Sequence, residues 1–401
     1  MIPRRVGLWL IGACGGVAST TALGIAALAR GITSSTGLVT ALPQFAGLDL
    51  DAPASFVLGG HDIRQATFLS SVRELHLRSG IFDDRLIEAC APELESWSAN
   101  VRPGVVYRPS AAVTAIADRP DVRQARTPRE AIELIQTDLR AFQKAHRLDQ
   151  LVVFNSASTE PPFELTEDHQ SLDRLQPALD RSTPGILPTS SLYAFAALDA
   201  GYPYVNMTPS RGATIPAIEE LARQRGVPHA GQDLKTGETL LKSVLAPLFA
   251  RRNLRVLSWV GHNILGNRDG LVLADPENKA SKVKSKDFLL GELLGYKPQS
   301  IVSIEYVESL DDWKTAWDHI HFEGFLGTRM TLQFTWQGCD SILAAPLVLD
   351  LARVVLLAQR RGDTGVLPQL ACFFKSPLGI NQHDFAKQSD LLEQYLAQTR
   401  H

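Results

Sequence analysis

Four lysines fall within eight residues, at Lys279, Lys282, Lys284 and Lys286. If the chain is helical from Ser281, Lys282 and Lys286 share one face, where like charges four apart repel by roughly 0.2–0.5 kcal/mol. An anion seated between them turns that cost into a binding site; a solvated helix face is the plainer alternative. The lysines follow a strand-like run, RVLSWV, that ends in a turn carrying Asn263, Asn267 and Asp269. A second chemical stretch, VPHAGQDLKTGETLLKSVL, reads as strand, polar turn and helix. It puts Asp233, Lys235, Thr236, Gly237 and Thr239 at the helix entrance, where unpaired N–H groups and the helix dipole favour a phosphate. It is not a Walker loop, because the GxxxxGK order is absent. Glu238 is an acid in an anion-binding turn and is expected to turn its side chain away. Lys375 follows the apolar run ACFF and precedes Pro377. It is either a desolvated lysine with a lowered pKa, able to exchange protons near neutral pH, or a snorkelling lysine at a strand end. Lys314 and Asp318, four apart, read as an ordinary helical ion pair.

The elements that position these groups follow from the apolar pattern. VGLWLI (6–11) suits a parallel strand buried on both faces, and Gly12, Gly15 and Gly16 then lead into the apolar helix TTALGIAALA. Strand, glycine turn and helix is the order that brings backbone N–H groups to a pyrophosphate. Against GxGxxG the spacing departs, with Cys14 at the second glycine position. FVLGGHDIR (56–64) is another strand; it ends at Asp62, a carboxylate placed to hold an adenosine ribose, although further from the glycine turn than is usual. His61 reads as a turn residue. Residues 65–126 read only as mixed helix and turn. Thr127, Pro128 and Glu130 start a helix that keeps Ile132, Ile135, Leu139 and Phe142 on one face to His146. LVVFNSAST (151–159) is a strand ending in small polar residues, and 160–190, rich in Pro, Asp and Ser, reads as a surface excursion without chemistry. A helix, the strand YPYVNMTP with Asn206 and Thr208 at its end, and a helix stopped by Gly226 continue the alternation that makes a parallel sheet. Later, SIVSIEYV is strand-like, and His319 and His321 alternate with Ile320 and Phe322 as in a strand rather than a metal pair. RMTLQFTW alternates with Met330, Leu332, Phe334 and Trp336 on one face, which needs a partner surface, and a long apolar helix starts at Asp340.

The 401 residues suit two domains, or one large α/β domain with an insertion. With 40 basic and 43 acidic side chains the net charge is −3, so no basic face for nucleic acid is expected and any phosphate site is local. Cys14, Cys90, Cys339 and Cys372 are scattered without CxxC spacing, which fits a reducing cytoplasm and neither zinc nor disulfides. The charge-free run from Val6 to Ala29 behind Arg4 and Arg5 has the outline of a signal peptide or anchor, but its glycines suit a phosphate turn better than a membrane.

Taken in order, GGVAST, GGHDI, QDLKTG, NILGNRDG, SKVKSK, DWKTAWD, CDSILAAPL and FFKSP resemble the myo-inositol-1-phosphate synthase (inositol-3-phosphate synthase) family, closest to its shorter archaeal and bacterial members. The likeness covers nearly the whole chain and is looser from Gln65 to Asp149. It implies an α/β fold: a Rossmann-like NAD-binding domain with a parallel sheet, formed by 1–239 and 342–401, and an inserted α+β catalytic and tetramerisation domain, 240–341. It implies NAD on Gly12, Gly15, Gly16, Val17, Ala18, Ser19, Asp62, Asn155, Ser158, Thr159, Asn206, Thr208 and Asp233. It implies substrate phosphate on Thr236, Gly237, Thr239 and Lys314, and chemistry by Lys282, Lys286, Lys314, Lys375, Asp233, Asp269, Asp340 and Asn267.

The implied reaction takes D-glucose 6-phosphate to 1D-myo-inositol 3-phosphate without net redox change. Carbon 5 is oxidised, a proton leaves carbon 6, the enolate attacks carbon 1, and the hydride returns to carbon 5. Each step moves negative charge between oxygens, which ammonium groups stabilise in a dry site. As a hypothesis from that chemistry, Lys282 exchanges the proton at the carbon 5 oxygen, Lys375 stabilises the carbon 1 oxygen, and Lys286 with Lys314 hold phosphate or enolate charge. Some members use a divalent cation for part of this charge, and the sequence leaves that open. A paralogue cyclising another sugar phosphate is one alternative. A plain NAD-dependent dehydrogenase is another, though it needs one acid–base group rather than four lysines from three segments. The expected assembly is a cytoplasmic homotetramer with neither nucleic acid nor membrane as partner.

Overall fold

Residues 4–267 and 289–398 are described by a computed structural model. The charge-free opening run folds as a strand, β1 (Val6–Ile11), every residue of which is buried, and a helix, α1 (Gly16–Ala29), most of which is buried. Its apolar residues therefore belong to the core. β2 (Phe56–Asp62) lies parallel to β1, with Gly60 opposite Leu10. The stretch 65–126, unreadable from the sequence in detail, contains α2 (Phe68–Ser79), α3 (Asp84–Ser98), β3 (Val101–Pro103), a short parallel pair β4 (Val105–Val106) and β5 (Arg123–Gln124), and α4 (Ala111–Ile116) between them.

α5 (Pro128–His146) starts where Thr127 Oγ1 accepts from Glu130 N at 3.1 Å, and its apolar stripe packs on the sheet. Gly7 and Gly59 make room for it: a Cβ at either would stand 3.0–3.1 Å from the Phe142 ring. Then follow β6 (Gln150–Asn155), α6 (Leu172–Asp180), α7 (Thr189–Asp199), β7 (Tyr204–Asn206), α8 (Pro216–Arg225), whose C-cap Gly226 has φ +66°, and β8 (Pro228–Ala230). After α9 (Glu238–Arg251) come β9 (Arg255–Leu265), β10 (Gln299–Tyr306), β11 (Trp313–Glu323) and β12 (Arg329–Cys339). The long helix α10 (Asp340–Arg360) packs against α1, and β13 (Gly365–Val366) and α11 (Phe385–Ala397) finish the described chain. α10 is the one described helix long and apolar enough to cross a membrane, and it is largely buried inside the fold.

The first sheet has seven strands in the order β13-β8-β7-β6-β1-β2-β3, all pairs parallel. The strand order reverses at β1, between β6 and β2, which opens a crevice at the strands' carboxyl ends. The second sheet runs β10-β9-β11-β12, with β9 and β10 parallel and the other pairs antiparallel. Val256, Trp259 and Ile320 on one of its faces join Ala246 and Phe249 of α9 in a second core, and Leu332 and Phe334 pack against that core. Lys314 and Asp318 lie in β11, so the helical ion pair is corrected. At a period of two both point to the covered face, where Asp318 Oδ1 accepts from Trp259 Nε1 at 2.7 Å while Lys314 reaches Asp340 instead. His319 and His321 stand on the opposite face, as the alternation implied.

Candidate functional site

At the crevice the two sheets meet around one cavity of about 780 Å³. Its first wall is the glycine turn. Gly12 takes φ +81°, and Gly12 N and Ala13 N both donate to His61 O, at 2.8 and 3.1 Å. Cys14, at the position where a fingerprint glycine was missing, donates its backbone N–H to Asp62 Oδ2 at 2.6 Å, and Arg64 N donates to Oδ1 at 2.8 Å. Both oxygens of Asp62 thus fasten the turn while the residue lines the cavity. α1 has no side-chain cap at Gly15, so its first-turn N–H groups face the cavity beside Gly15, Gly16 and Val17. There is no space for a side chain here, since a Cβ at Gly16 would stand 2.6 Å from Ser341 Oγ. An uncapped helix start behind a glycine-bearing turn fits the pyrophosphate of a dinucleotide. Asn155, Ser158, Thr159 and Thr208 line the same cavity.

The opposite wall carries the ions. Asp233, at φ +63°, accepts from Lys375 Nζ at 2.8 Å through Oδ1. Asp340 heads α10 and stands 3.9 Å from Lys314 Nζ and 3.4 Å from Thr236 Oγ1. These five residues come from four separate segments, and all line the cavity with Asn267. Ala18, Ser19, Asn206, Gly237 and Thr239 stand behind the wall rather than in it. Ser19 Oγ donates to Gly15 O at 2.8 Å, Asn206 Oδ1 accepts from Asn155 and Thr208, and Gly237 caps α9 with Thr239 in its first turn. Lys282, Lys286 and Asp269 lie outside the described residues. Glu238 turns away as expected: its carboxylate takes Lys242 Nζ at 2.6 Å and Asn263 Nδ2 at 2.7 Å in the interior.

Several cavity residues were missed or misread. Residues 160–163 and 184–190 are no surface excursion; most of them line the cavity, where Glu160 accepts from Ser190 N at 3.0 Å and from its hydroxyl at the start of α7. Burial pushes the Glu160 carboxyl up. His61 is no turn residue but the end of β2, 1% exposed, with Nε2 against Asp138 Oδ2 at 2.7 Å and the Trp9 and Tyr193 rings about it. Burial lowers its pKa and Asp138 opposes the shift. Asp312 is the first residue of DWKTAWD and drew no role from the sequence. Its Oδ2 accepts from Ser341 N and Cys339 Sγ, both at 2.8 Å, and its Oδ1 from Ser341 Oγ at 3.0 Å. Burial raises its carboxyl above the usual range against these donors. Asp312 therefore ties the start of α10 to the turn before β11, next to Gly16. Arg78 of α2 bonds Asp311 at 2.6 Å and joins the same turn to the first sheet's layer. Among the described residues no cluster of three or more His, Cys, Asp or Glu side chains forms a metal cage.

Residues 6–397 match the family model described as myo-inositol-1-phosphate synthase. The chain is 32% identical to inositol-3-phosphate synthase 1 of Bacteroides thetaiotaomicron, over 96% of this chain and 91% of that one. It is 29% identical to the inositol-3-phosphate synthase of Dictyostelium discoideum, over 88% and 74%. The crystal structure of inositol-3-phosphate synthase from Caenorhabditis elegans shares the fold with a TM-score of 0.87 at 24% identity, over 98% of this chain and 85% of that one. A myo-inositol-1-phosphate synthase-related protein from Thermotoga maritima does so with 0.79 at 22%, over 98% and 99%.

Proposed function

The chain belongs to the myo-inositol-1-phosphate synthase family, an NAD-binding enzyme family, and on that premise we propose that its cavity converts D-glucose 6-phosphate to 1D-myo-inositol 3-phosphate. The observation that carries this reading is the pairing of Lys375 with Asp233 and of Lys314 with Asp340, from separate segments, across from an uncapped glycine turn. A simple dehydrogenase needs one proton-transfer group beside its cofactor. Two ammonium–carboxylate pairs facing one volume suit a reaction in which charge appears on more than one oxygen in turn.

Gly12, Gly15 and Gly16 with the start of α1 would hold the NAD pyrophosphate, and Asp62 would stand at the ribose. NAD, when bound there, supplies a hydride acceptor that can give the hydride back. The remaining steps belong to the chain. Thr236, at the end of α9 whose dipole favours an anion, holds the phosphate with Lys314, and Lys375 stabilises the oxygen that becomes negative as the ring closes. Asp233 aims Lys375, and Asp340 aims Lys314. Cofactor and substrate filling the cavity would displace water from it, which strengthens each of these interactions.

The division into a nucleotide-binding part, 1–239 with 342–401, and an inserted part, 240–341, is supported by the two separate sheets and cores. Assembly into a homotetramer through the second sheet is supported by the face that no described element covers, where Trp317 is 59% and Ile301 45% exposed. A reducing cytoplasm fits four cysteines that are all buried and free. Glucose 6-phosphate incubated with substoichiometric NAD should give a phosphorylated cyclitol resolvable by ³¹P NMR. Accumulating NADH with an oxidised sugar phosphate would instead mark a dehydrogenase.

A further inference from the structure

We propose that the buried ammonium of Lys235 is an electrostatic positioning group behind the phosphate-binding turn, held there by Gln388 of α11. This rests on the reading of 232–239 as the phosphate turn. The turn is stitched to the segment 373–376 like a strand pair. Lys235 N donates to Phe373 O at 2.9 Å, Lys375 N to Asp233 O at 2.7 Å and Gln232 N to Ser376 O at 2.9 Å. Asp233 and Lys375 meet on its cavity side. Lys235 does not line the cavity; it is 4% exposed, its Nζ donates to Gln388 Oε1, and it sits 5.4 Å from the centre of the Phe385 ring.

Gln388 is 0% exposed, and its amide orientation is fixed because Nε2 donates to Gln382 O. Its oxygen therefore faces Lys235. Among the described residues no carboxylate ion-pairs with Lys235. Asp384 of α11 is committed to Arg251. The titratable groups that face Lys235 are Cys372, a thiol pushed up to about 12 by burial, and His383, lowered chiefly by burial. Neither supplies a negative charge at neutral pH.

A buried cation with only an amide and a ring as partners is costly to the fold. Burial brings its pKa down to about 8, so the charge is present at neutral pH and lost above it. A dianion at the turn regains that cost. The charge lies one residue from Thr236, on the side away from solvent, where screening is weak. Were Lys235 merely a packing clamp for α11, a carboxylate opposite it would help. Were it there for its field, the same carboxylate would cancel its effect.

Gln388→Glu separates the two roles, and Lys235→Met removes the charge outright. Inorganic phosphate is titrated into the NAD-loaded proteins by calorimetry, with KM and kcat for glucose 6-phosphate measured alongside. Both variants should weaken phosphate about five- to tenfold and raise KM with kcat moved less, while NAD affinity stays within about twofold. Wild-type phosphate affinity should fall as pH rises through about 8, and Gln388→Glu should be flat there. A folded Gln388→Glu with wild-type phosphate affinity would overturn the inference, whatever Lys235→Met does. Wild-type protein that binds phosphate but never turns over glucose 6-phosphate would overturn the functional reading and leave this one standing.

Discussion

Lys375 and Lys314 differ in their partners, and the difference sets what their loss should do. Lys375 Nζ is within 2.8 Å of Asp233, whereas Lys314 and Asp340 are 3.9 Å apart with Thr236 beside them. Lys375→Ala should lower kcat by about 10²–10³, the scale of a lost oxyanion donor, with NAD affinity within about twofold. Lys314→Ala should act more on KM, because the phosphate contact proposed for it would serve ground and transition states alike. Steady-state kinetics with an NAD titration separates these outcomes. His229 in β8 is fully buried with neither ring nitrogen hydrogen-bonded, and burial pushes it down to about 4 from 6.5. The unfolded chain takes up the proton first, so stability is intact above about 6.5 and is lost as pH falls towards 4, by at most about 3 kcal/mol. Denaturant titrations at pH 7 and 4.5 should show that loss in wild type and much less of it in His229→Leu.

At this scale the sequence was legible where a residue type has few uses. Lys375 after an apolar run and the acids Asp62 and Asp233 in glycine-bearing turns pointed to the cavity. Asp312 was not legible, because an acid before a strand is ordinary until Ser341 and Cys339 arrive from elsewhere in the chain to surround it.

Among the elements, the glycine turn depends on how closely β1 and β2 approach. A Cβ at Gly60 would lie 2.1 Å from Leu10 O and 2.7 Å from the Ala13 Cβ, both backbone or rigid neighbours of the turn. Gly60→Ala should therefore cost about 1–3 kcal/mol in a melt and weaken NAD binding, since the strain falls on the residues leading into Gly12. Unchanged NAD affinity in a destabilised variant would show the turn to be independent of the strand contact. The parallel strands and their helices were readable because both faces are covered and their runs are apolar. β11 was misread at Lys314 and Asp318 because a spacing of four fits one face of either a helix or a strand. Residues 160–163 and 184–190 were misread for another reason. Pro and Ser mark irregular backbone, but irregular backbone also walls cavities.

For the whole molecule, the second sheet has one face that no described element covers. Trp317 lies on β11 opposite His262 and Thr335, at the middle of that face. Trp317→Glu should shift light-scattering mass from a tetramer to smaller species while the far-ultraviolet spectrum is kept. A monomeric wild type would remove the assembly proposal without touching the site. The central claim is a redox-neutral cyclisation in which the hydride leaves carbon 5 and returns to it. It is tested most directly with glucose 6-phosphate deuterated at carbon 5, substoichiometric NAD and NMR of the product. The account predicts an inositol phosphate that retains the deuterium and no accumulating NADH. Deuterium found in free reduced cofactor beside an uncyclised, oxidised sugar phosphate would contradict it.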